Sequence, residues 1–317
     1  MSIMNTPTQH ITTSPGTTLA YRQLPALSPS PSPSNTPLVL LMHFRGTLSH
    51  WDPTLLYHLR AHRPLILLDN AGIGSSTGVV PLTFSAWAAH VLDLLIALGH
   101  ASAGVDVLGF SMGGCVAQMV ALNAAARGVR VRRVVLAGTT ASVGPGVKVL
   151  RSQQELGPLT RLRFAASEEQ QRAALLECFF QPGEAGRRAG GEVWERICRG
   201  REDGRADGGR APYVDQDAAK RQGIAFARFM DEAEREQGSF DRLGELTMPV
   251  LVANGSNDVL IPTENSIVLW RNLVNSKAHL HLFPDSGHGF LYQYAEMFAR
   301  LVHDFLDAPD AERGSRL

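Results

Sequence analysis

Cysteine is scarce in this sequence, and its three cysteines show no paired spacing: Cys115, Cys178 and Cys198. This scarcity disfavours both a disulfide framework and a zinc site, and it predicts reduced thiols in an intracellular compartment. A charge imbalance is lacking as well, because 30 Lys and Arg residues balance 30 Asp and Glu residues. The composition therefore predicts no general attraction to nucleic acid or to an anionic membrane.

The sequence also lacks a long apolar run. Its most apolar stretch, residues 86–98, is too short to cross a bilayer and contains His90 and Asp93. The first residues have neither the basic nor the apolar region of a secretory signal. These absences predict a soluble, cytoplasmic protein that has no nucleic-acid or membrane partner. The sequence is compatible with a homodimer.

Hydrophobic residues are plentiful, at 44% of 317 positions, which is enough for a sizeable core. Short apolar runs bounded by turn residues alternate with helical patterns, as is typical of a parallel sheet with helices on both faces. The expected fold class is therefore α/β, with a mostly parallel, doubly wound sheet. Strands are predicted in six stretches: 37–44, 64–69, 105–108, 131–136, 249–254 and 278–283.

The strand pattern stops after the fourth of these strands and resumes a hundred residues later. The intervening residues have helical and loop-like patterns, so we predict one α/β domain interrupted by a helical insertion. Within the insertion, residues 183–210 are rich in glycine and charge and predict an exposed loop with a short helix around Trp194. The predicted parts are a first core segment at 1–141 (with 1–15 and 25–36 flexible), the insertion at 142–247, a second core segment at 248–307 and a polar tail at 308–317.

A serine stands where a predicted strand turns into a predicted helix. Gly109, Ser111 and Gly113 fill the pattern G-x-S-x-G. Glycines on both sides permit a tight turn that exposes the hydroxyl, and the following helix directs free N–H groups toward it. Ser111 is therefore the candidate nucleophile, with an ordinary turn residue as the alternative.

Two further polar residues follow predicted strands at the same edge of the sheet. Asp258 comes after the strand at 249–254, and His288 comes after the strand at 278–283. A serine hydroxyl needs a base to take its proton, and the imidazole needs an acid to fix its tautomer. We predict His288 as the base and Asp258 as the acid. Asp285, which shares the loop of His288, is the alternative acid.

Four motifs together resemble those of the α/β-hydrolase superfamily, which has the same Ser, Asp, His order. They lie at residues 68–76, 109–114, 255–258 and 286–289, and the resemblance covers about residues 37–140 and 249–306. It implies the α/β-hydrolase fold with a helical cap. It also implies an oxyanion hole formed by the backbone N–H groups of Phe44 and Met112. Because His43 stands where glycine is usual, Arg45 stays open as the second donor.

The resemblance is to small-substrate members, such as esterases, lactonases and non-haem haloperoxidases. It implies hydrolysis of a carboxylic ester, lactone or similar carbonyl through an acyl-serine, without a metal or organic cofactor. A carbon–carbon bond hydrolase, a lyase, a cofactor-free tailoring enzyme and a non-catalytic binder are the alternatives. The glycines of residues 72–78 mimic a dinucleotide motif, but no helix follows directly, so we interpret them as a structural loop. The residues predicted to line the substrate pocket are His43, Arg45, Phe179, Phe180, Trp194, Phe226, Phe229, Met230 and Phe290.

Overall fold

The structure is a computed structural model that describes residues 6–14, 16–28, 36–201 and 213–309. Among these residues, eight strands form a single sheet in the order β1-β2-β4-β3-β5-β6-β7-β8. Strands β3 to β8 run parallel, while β1 and β2 are antiparallel to their neighbours. The strands are β1 (Gln9–Ser14), β2 (Thr17–Leu24), β3 (Leu38–Leu41), β4 (Leu65–Leu68), β5 (Val105–Phe110), β6 (Val131–Ala137), β7 (Val250–Gly255) and β8 (Ala278–Phe283).

Helices cover both faces of this sheet, so the predicted fold class is confirmed. Strands β3, β4, β5 and β7 are buried at every position, because apolar side chains pack against helices on either side. The helices are α1 (Pro53–Leu59), α2 (Phe84–Ala97), α3 (Met112–Asn123), α4 (Gln153–Phe164), α5 (Glu168–Phe179), α6 (Glu184–Arg201), α7 (Gln216–Phe229), α8 (Thr263–Asn272), α9 (Phe290–Gln293) and α10 (Ala295–Asp307).

Local capping chemistry sets where two of the helices begin. The Asp52 carboxylate accepts a hydrogen bond from the Thr54 N–H, and Pro53 occupies the first position of α1. The Thr83 hydroxyl accepts from the Ala86 N–H at the start of α2. Both features follow from residue types that sequence alone identifies.

Two segments differ from their predictions. Residues 9–14, expected to be flexible, form β1, in which Gln9 pairs with Tyr21 and Ile11 with Leu19. Residues 184–201, expected to be mostly loop, form the 18-residue helix α6. The loop prediction was wrong because the charged residues occupy only one face of the helix. The other face buries a stripe at helical spacing: Val193, Trp194, Ile197 and Cys198.

The segment between β6 and β7 contains α4 to α7, which we call the inserted helices. In the part of this segment that the structure describes, no strand occurs. The predicted loop at 202–210, the predicted tail beyond residue 309 and residues 29–35 of the second flexible stretch lie outside the described residues.

The chain directions in the sheet determine where a site can form. Because β3 to β8 are parallel, the loops that follow β3, β5, β7 and β8 all emerge at one edge. The inserted helices follow β6 and therefore leave the sheet at this same edge. Among the described residues, no helix is both long and apolar enough to cross a membrane.

Candidate active site

Ser111 occupies a strained turn between β5 and α3. Its backbone has φ 57° and ψ −122°, a conformation that non-glycine residues rarely adopt. The turn is tight because a Cβ on Gly109 would lie 2.3 Å from the Gly113 carbonyl oxygen, and one on Gly113 would lie 2.1 Å from the Leu41 carbonyl oxygen. The flanking glycines are therefore required by close backbone approach, and the turn holds the serine at the sheet edge.

His288 is held by a carboxylate from the neighbouring loop. Its Nδ1–H donates to Asp258 Oδ2 at 2.6 Å, and both side chains are buried. Asp258 Oδ1 accepts from the backbone N–H groups of Leu260 and Ile261, each at 2.9 Å. The alternative acid, Asp285, is exposed in a turn with φ 45°. The carboxylate that orients the imidazole is thus that of Asp258.

The second ring nitrogen of His288 is available for chemistry. His288 Nε2 is buried and has no hydrogen-bond partner among the described residues. The ring packs between Phe110 and Phe179, with centroid distances of 5.0 and 5.1 Å. With Nδ1–H donated to Asp258, Nε2 is the nitrogen that can accept a proton in the neutral ring.

Ser111 and His288 line the same cavity, which has a volume of about 410 Å³. That volume suits a small organic molecule. The remaining walls come from the loop after β3, the stretch before α4, helices α4 and α7, and the loop after β7. The walls are mainly apolar and none of the residues that line them is acidic.

The backbone N–H groups beside the cavity differ in whether they are already bonded. Phe44 and Met112 both line the cavity. The Phe44 N–H donates to no acceptor in the described part of the chain, and Met112 is the first residue of α3, where N–H groups lack a partner within the helix. The Arg45 N–H instead donates to Gln222 Oε1 at 3.0 Å. The geometry therefore favours Phe44 over Arg45 as the second donor.

His43 is buried as a neutral ring beside these groups. Its Nδ1–H donates to the Phe44 carbonyl oxygen at 2.8 Å, and the ring makes edge contacts with Phe110 and Phe179. Burial lowers the pKa of His43 to about 4, against the smaller opposing effect of its hydrogen bond to Phe44. The imidazole that replaces the usual glycine thus carries no charge near neutral pH.

The predicted pocket residues divide into two groups. His43, Phe179, Phe226 and Met230 line the cavity. Five others do not, because each is packed or bonded elsewhere. Phe180 and Trp194 pack in the core cluster under α5 and α6, Phe229 contacts Phe84, Phe290 contacts Phe283 and Phe298, and the Arg45 guanidinium bonds carbonyls of the inserted segment.

Several lining residues were missing from the prediction because it considered mainly aromatic side chains in the insertion. Helix α4 contributes Leu156, Leu159 and Leu162 at three-residue spacing, followed by Arg163. That spacing places them on one face of a helix, so an apolar stripe was readable in the sequence. Lys148 and Leu260 gave no comparable signal. Their positions depend on how the loops fold over the sheet edge.

Comparisons with known proteins agree with this fold. A family model described as the α/β hydrolase fold matches residues 37–293. A 2-hydroxymuconate semialdehyde hydrolase from Pseudomonas putida is 29% identical over 285 residues, covering 86% of this chain and 88% of that relative. A 2-hydroxy-6-oxononadienedioate/2-hydroxy-6-oxononatrienedioate hydrolase 2 from Pseudomonas putida is 40% identical over 65 residues, which are 20% of this chain and only 22% of that relative.

A solved structure extends the similarity over nearly the whole chain. An α/β hydrolase fold protein from Chitinophaga pinensis is similar with a TM-score of 0.78 and 31% identity, covering 96% of this chain and 98% of that one. Together with the family match, it confirms the resemblance that the four motifs carried. The chain belongs to the α/β hydrolase fold family.

Proposed function

We propose that this protein is a serine hydrolase that cleaves an ester, lactone or similarly activated carbonyl of a small, largely apolar substrate. One observation carries the proposal. His288 is fixed through Nδ1 by Asp258, its Nε2 has no partner among the described residues, and its ring lines the cavity that Ser111 also lines. A serine nucleophile needs a nearby base that a third group holds in place, and these contacts support that role for His288.

In the proposed mechanism, Ser111 Oγ attacks the substrate carbonyl carbon while His288 Nε2 takes the hydroxyl proton. The carbonyl oxygen becomes an oxyanion that the Phe44 and Met112 N–H groups stabilise. The tetrahedral intermediate collapses to an acyl-serine, and His288 returns the proton to the leaving alkoxide. Water then attacks the acyl-serine by the same steps, which releases the acid and restores the Ser111 hydroxyl.

Asp258 contributes to this mechanism through the imidazole and does not take up the proton itself. Its Oδ2 fixes the ring and stabilises the imidazolium that forms after proton transfer. The two N–H groups on its Oδ1 keep the carboxylate in place. In this proposal Ser111 is the nucleophile, His288 is the base and Asp258 is the carboxylate that orients the base.

We further propose that the insertion at 142–247 acts as a cap that selects the substrate. Helix α4 and helix α7 supply apolar walls, including Leu159, Leu162 and Phe226. These side chains would bury an apolar acyl or alcohol group and exclude water from the acyl-serine.

The test combines a covalent probe with a substrate series. The wild type and Ser111→Ala are treated with a fluorophosphonate and assayed on aryl esters of increasing chain length and on lactones. The proposal expects a single label on Ser111 of the wild type, and turnover that Ser111→Ala abolishes. A folded wild type that takes no label, or a label that persists in Ser111→Ala, would contradict it.

A second candidate, a carbon–carbon bond hydrolase, has support from the relatives and from the cavity. 2-Hydroxymuconate semialdehyde, for which one relative is named, is a carboxylic acid with an aldehyde group and no ester. Hydrolysis of such a compound must cleave a carbon–carbon bond. In this chain the charged side chains that line the cavity are Lys148 and Arg163, and none is acidic. Lys148 pairs with Glu264, whereas Arg163 has no ion pair to a described carboxylate.

The two candidates separate in a direct comparison of substrates. Wild-type enzyme is given an aryl ester and, separately, a conjugated 2-hydroxy-6-oxo-dienoate, and product formation is followed by mass spectrometry. A kcat/KM at least 100-fold higher for the ester supports the first candidate. The reverse ratio supports the second, and both activities must disappear in Ser111→Ala.

A further inference from the structure

Arg45 holds an unusual position next to the proposed oxyanion donor. It directly follows Phe44 and has φ 64°, in the left-handed region that favours glycine. The residue is only 5% exposed, although it carries a guanidinium. A charged side chain in a strained and buried position persists only where the surrounding contacts compensate for it.

Those contacts all come from the inserted segment. The Arg45 guanidinium donates to the carbonyl oxygens of Leu162 at 2.9 Å, Arg163 at 3.2 Å and Ala165 at 2.8 Å, at the end of α4. It also donates to the Val214 carbonyl oxygen at 3.2 Å, just before α7. No carboxylate in the described part of the chain forms an ion pair with it.

The backbone of Arg45 is bonded to the same region. Its N–H donates to Gln222 Oε1 on α7 at 3.0 Å, and its carbonyl oxygen accepts from the Val214 N–H at 3.1 Å. Gln222 is fully buried. The main chain and the side chain of Arg45 thus connect the turn that carries Phe44 to two segments about 50 residues apart in sequence.

We propose that Arg45 is a positioning residue that makes the direction of the Phe44 N–H depend on the docking of α4 and α7. This inference rests on the proposed function, in which Phe44 stabilises the oxyanion. When both segments are docked, six hydrogen bonds hold Arg45 in its left-handed conformation, and the preceding N–H lies at the cavity. When either segment moves away, the turn loses the bonds that compensate for its strain.

A bound substrate can influence the contacts between Arg45 and α4, because Leu162 and Arg163 also line the cavity. Their carbonyl oxygens accept from Arg45, and the same two residues form part of the wall around the space that the substrate would occupy. Occupation of the cavity would therefore favour the docked position of α4 and, through Arg45, the oriented Phe44 N–H. The insertion would then contribute to the chemical step as well as to substrate selection.

The variant Arg45→Gly distinguishes the effect of the backbone turn from the effect of the side-chain hydrogen bonds that Arg45 donates to the inserted segment. Arg45→Gly tolerates the positive φ, so the turn can still form, but all guanidinium bonds are lost. We expect kcat on the preferred ester to fall at least tenfold with KM changed less than threefold, because the lost contact acts in the transition state. Arg45→Lys, which retains a cation and donors, should recover part of the lost kcat.

Arg196 provides the matched control. It joins another inserted helix, α6, to the core through Asp52 Oδ2 at 2.6 Å, and its hydrogen bonds go to Asp52 and Tyr292 rather than to Phe44 or Arg45. Arg196→Met should lower the melting temperature without lowering kcat. If Arg45→Gly does not fold, Gln222→Met, which removes the acceptor for the Arg45 N–H, should lower kcat at least threefold.

The result that overturns the inference is a folded Arg45→Gly enzyme with kcat within twofold of the wild type, or a kcat loss that Arg196→Met reproduces. If Arg45→Gly fails to fold, an unchanged kcat in Gln222→Met overturns it too. Failure of the proposed function is distinguishable, because it would appear as a wild type with neither fluorophosphonate label nor ester turnover.

Discussion

The buried neutral His43 should make this protein sensitive to mild acid. Burial lowers the pKa of His43 to about 4 in the folded state, whereas an unfolded chain has the ordinary value of 6.5. A histidine whose folded pKa is depressed contributes stability above the unfolded pKa, and this stability is lost as the pH falls toward the folded pKa. The sensitive window therefore extends from about pH 6.5 down to about pH 4.

The size of the effect follows from the two pKa values. At about 1.4 kcal/mol per pKa unit, the difference between the unfolded and the folded pKa of His43 corresponds to about 3 kcal/mol of stability. About 2 kcal/mol of that should be lost between pH 7.5 and pH 5. This is a large share of the roughly 5–15 kcal/mol by which proteins are usually stable.

Urea unfolding of wild type, His43→Gln and His62→Gln at pH 7.5, 6 and 5 measures this contribution. His43→Gln cannot ionise, so its free energy of unfolding should fall by about 2 kcal/mol less than that of the wild type between pH 7.5 and pH 5. His62 is exposed, and His62→Gln should follow the wild type. Parallel losses in all three proteins would refute the reasoning.

Three further predictions concern the site and the thiols. Asp258→Asn should lower kcat by on the order of 10⁴-fold, because the imidazole loses its orienting carboxylate, whereas Asp285→Asn should stay near the wild type in steady-state assays. Arg163→Gln should raise KM for a carboxylate-bearing substrate at least tenfold but leave KM for its neutral methyl ester unchanged; equal effects on both would remove Arg163 from anion binding. Burial raises the pKa of Cys115 and of Cys178 to about 12, so iodoacetamide should alkylate neither in the native state and both in urea, as peptide mass spectrometry would report.

The fold was largely readable because its signals are local. Each signal depends on only a few neighbouring residues. Examples are the apolar runs of β3 to β7, the capping residue Asp52 and the glycines around Ser111. The parallel direction of the strands then places Asp258 and His288 at one sheet edge, even though 147 and 177 residues separate them from Ser111 along the chain. Topology rules supply this long-range step without knowledge of side-chain packing.

The cavity walls were less readable because they depend on which face of each inserted helix turns toward Ser111. Trp194 and Phe290 were predicted to line the cavity because they are aromatic. Both pack instead into a hydrophobic core cluster. The sequence predicted only a short helix around Trp194 instead of the full α6, because the glycines and charges of this stretch masked a buried stripe. For Arg45, the sequence allowed a donor role or a place in the substrate pocket. Its bonds to carbonyls of two distant segments follow from tertiary packing alone.

The central claim is that His288 activates Ser111 as a nucleophile. Its most direct test is the rate of fluorophosphonate labelling at Ser111, followed by peptide mass spectrometry in wild type, His288→Gln and Asp285→Asn. We predict rapid labelling of Ser111 in wild type and Asp285→Asn, and at least a 100-fold slower rate in folded His288→Gln. Equal labelling rates in wild type and His288→Gln, or a label on any other residue, would contradict the claim.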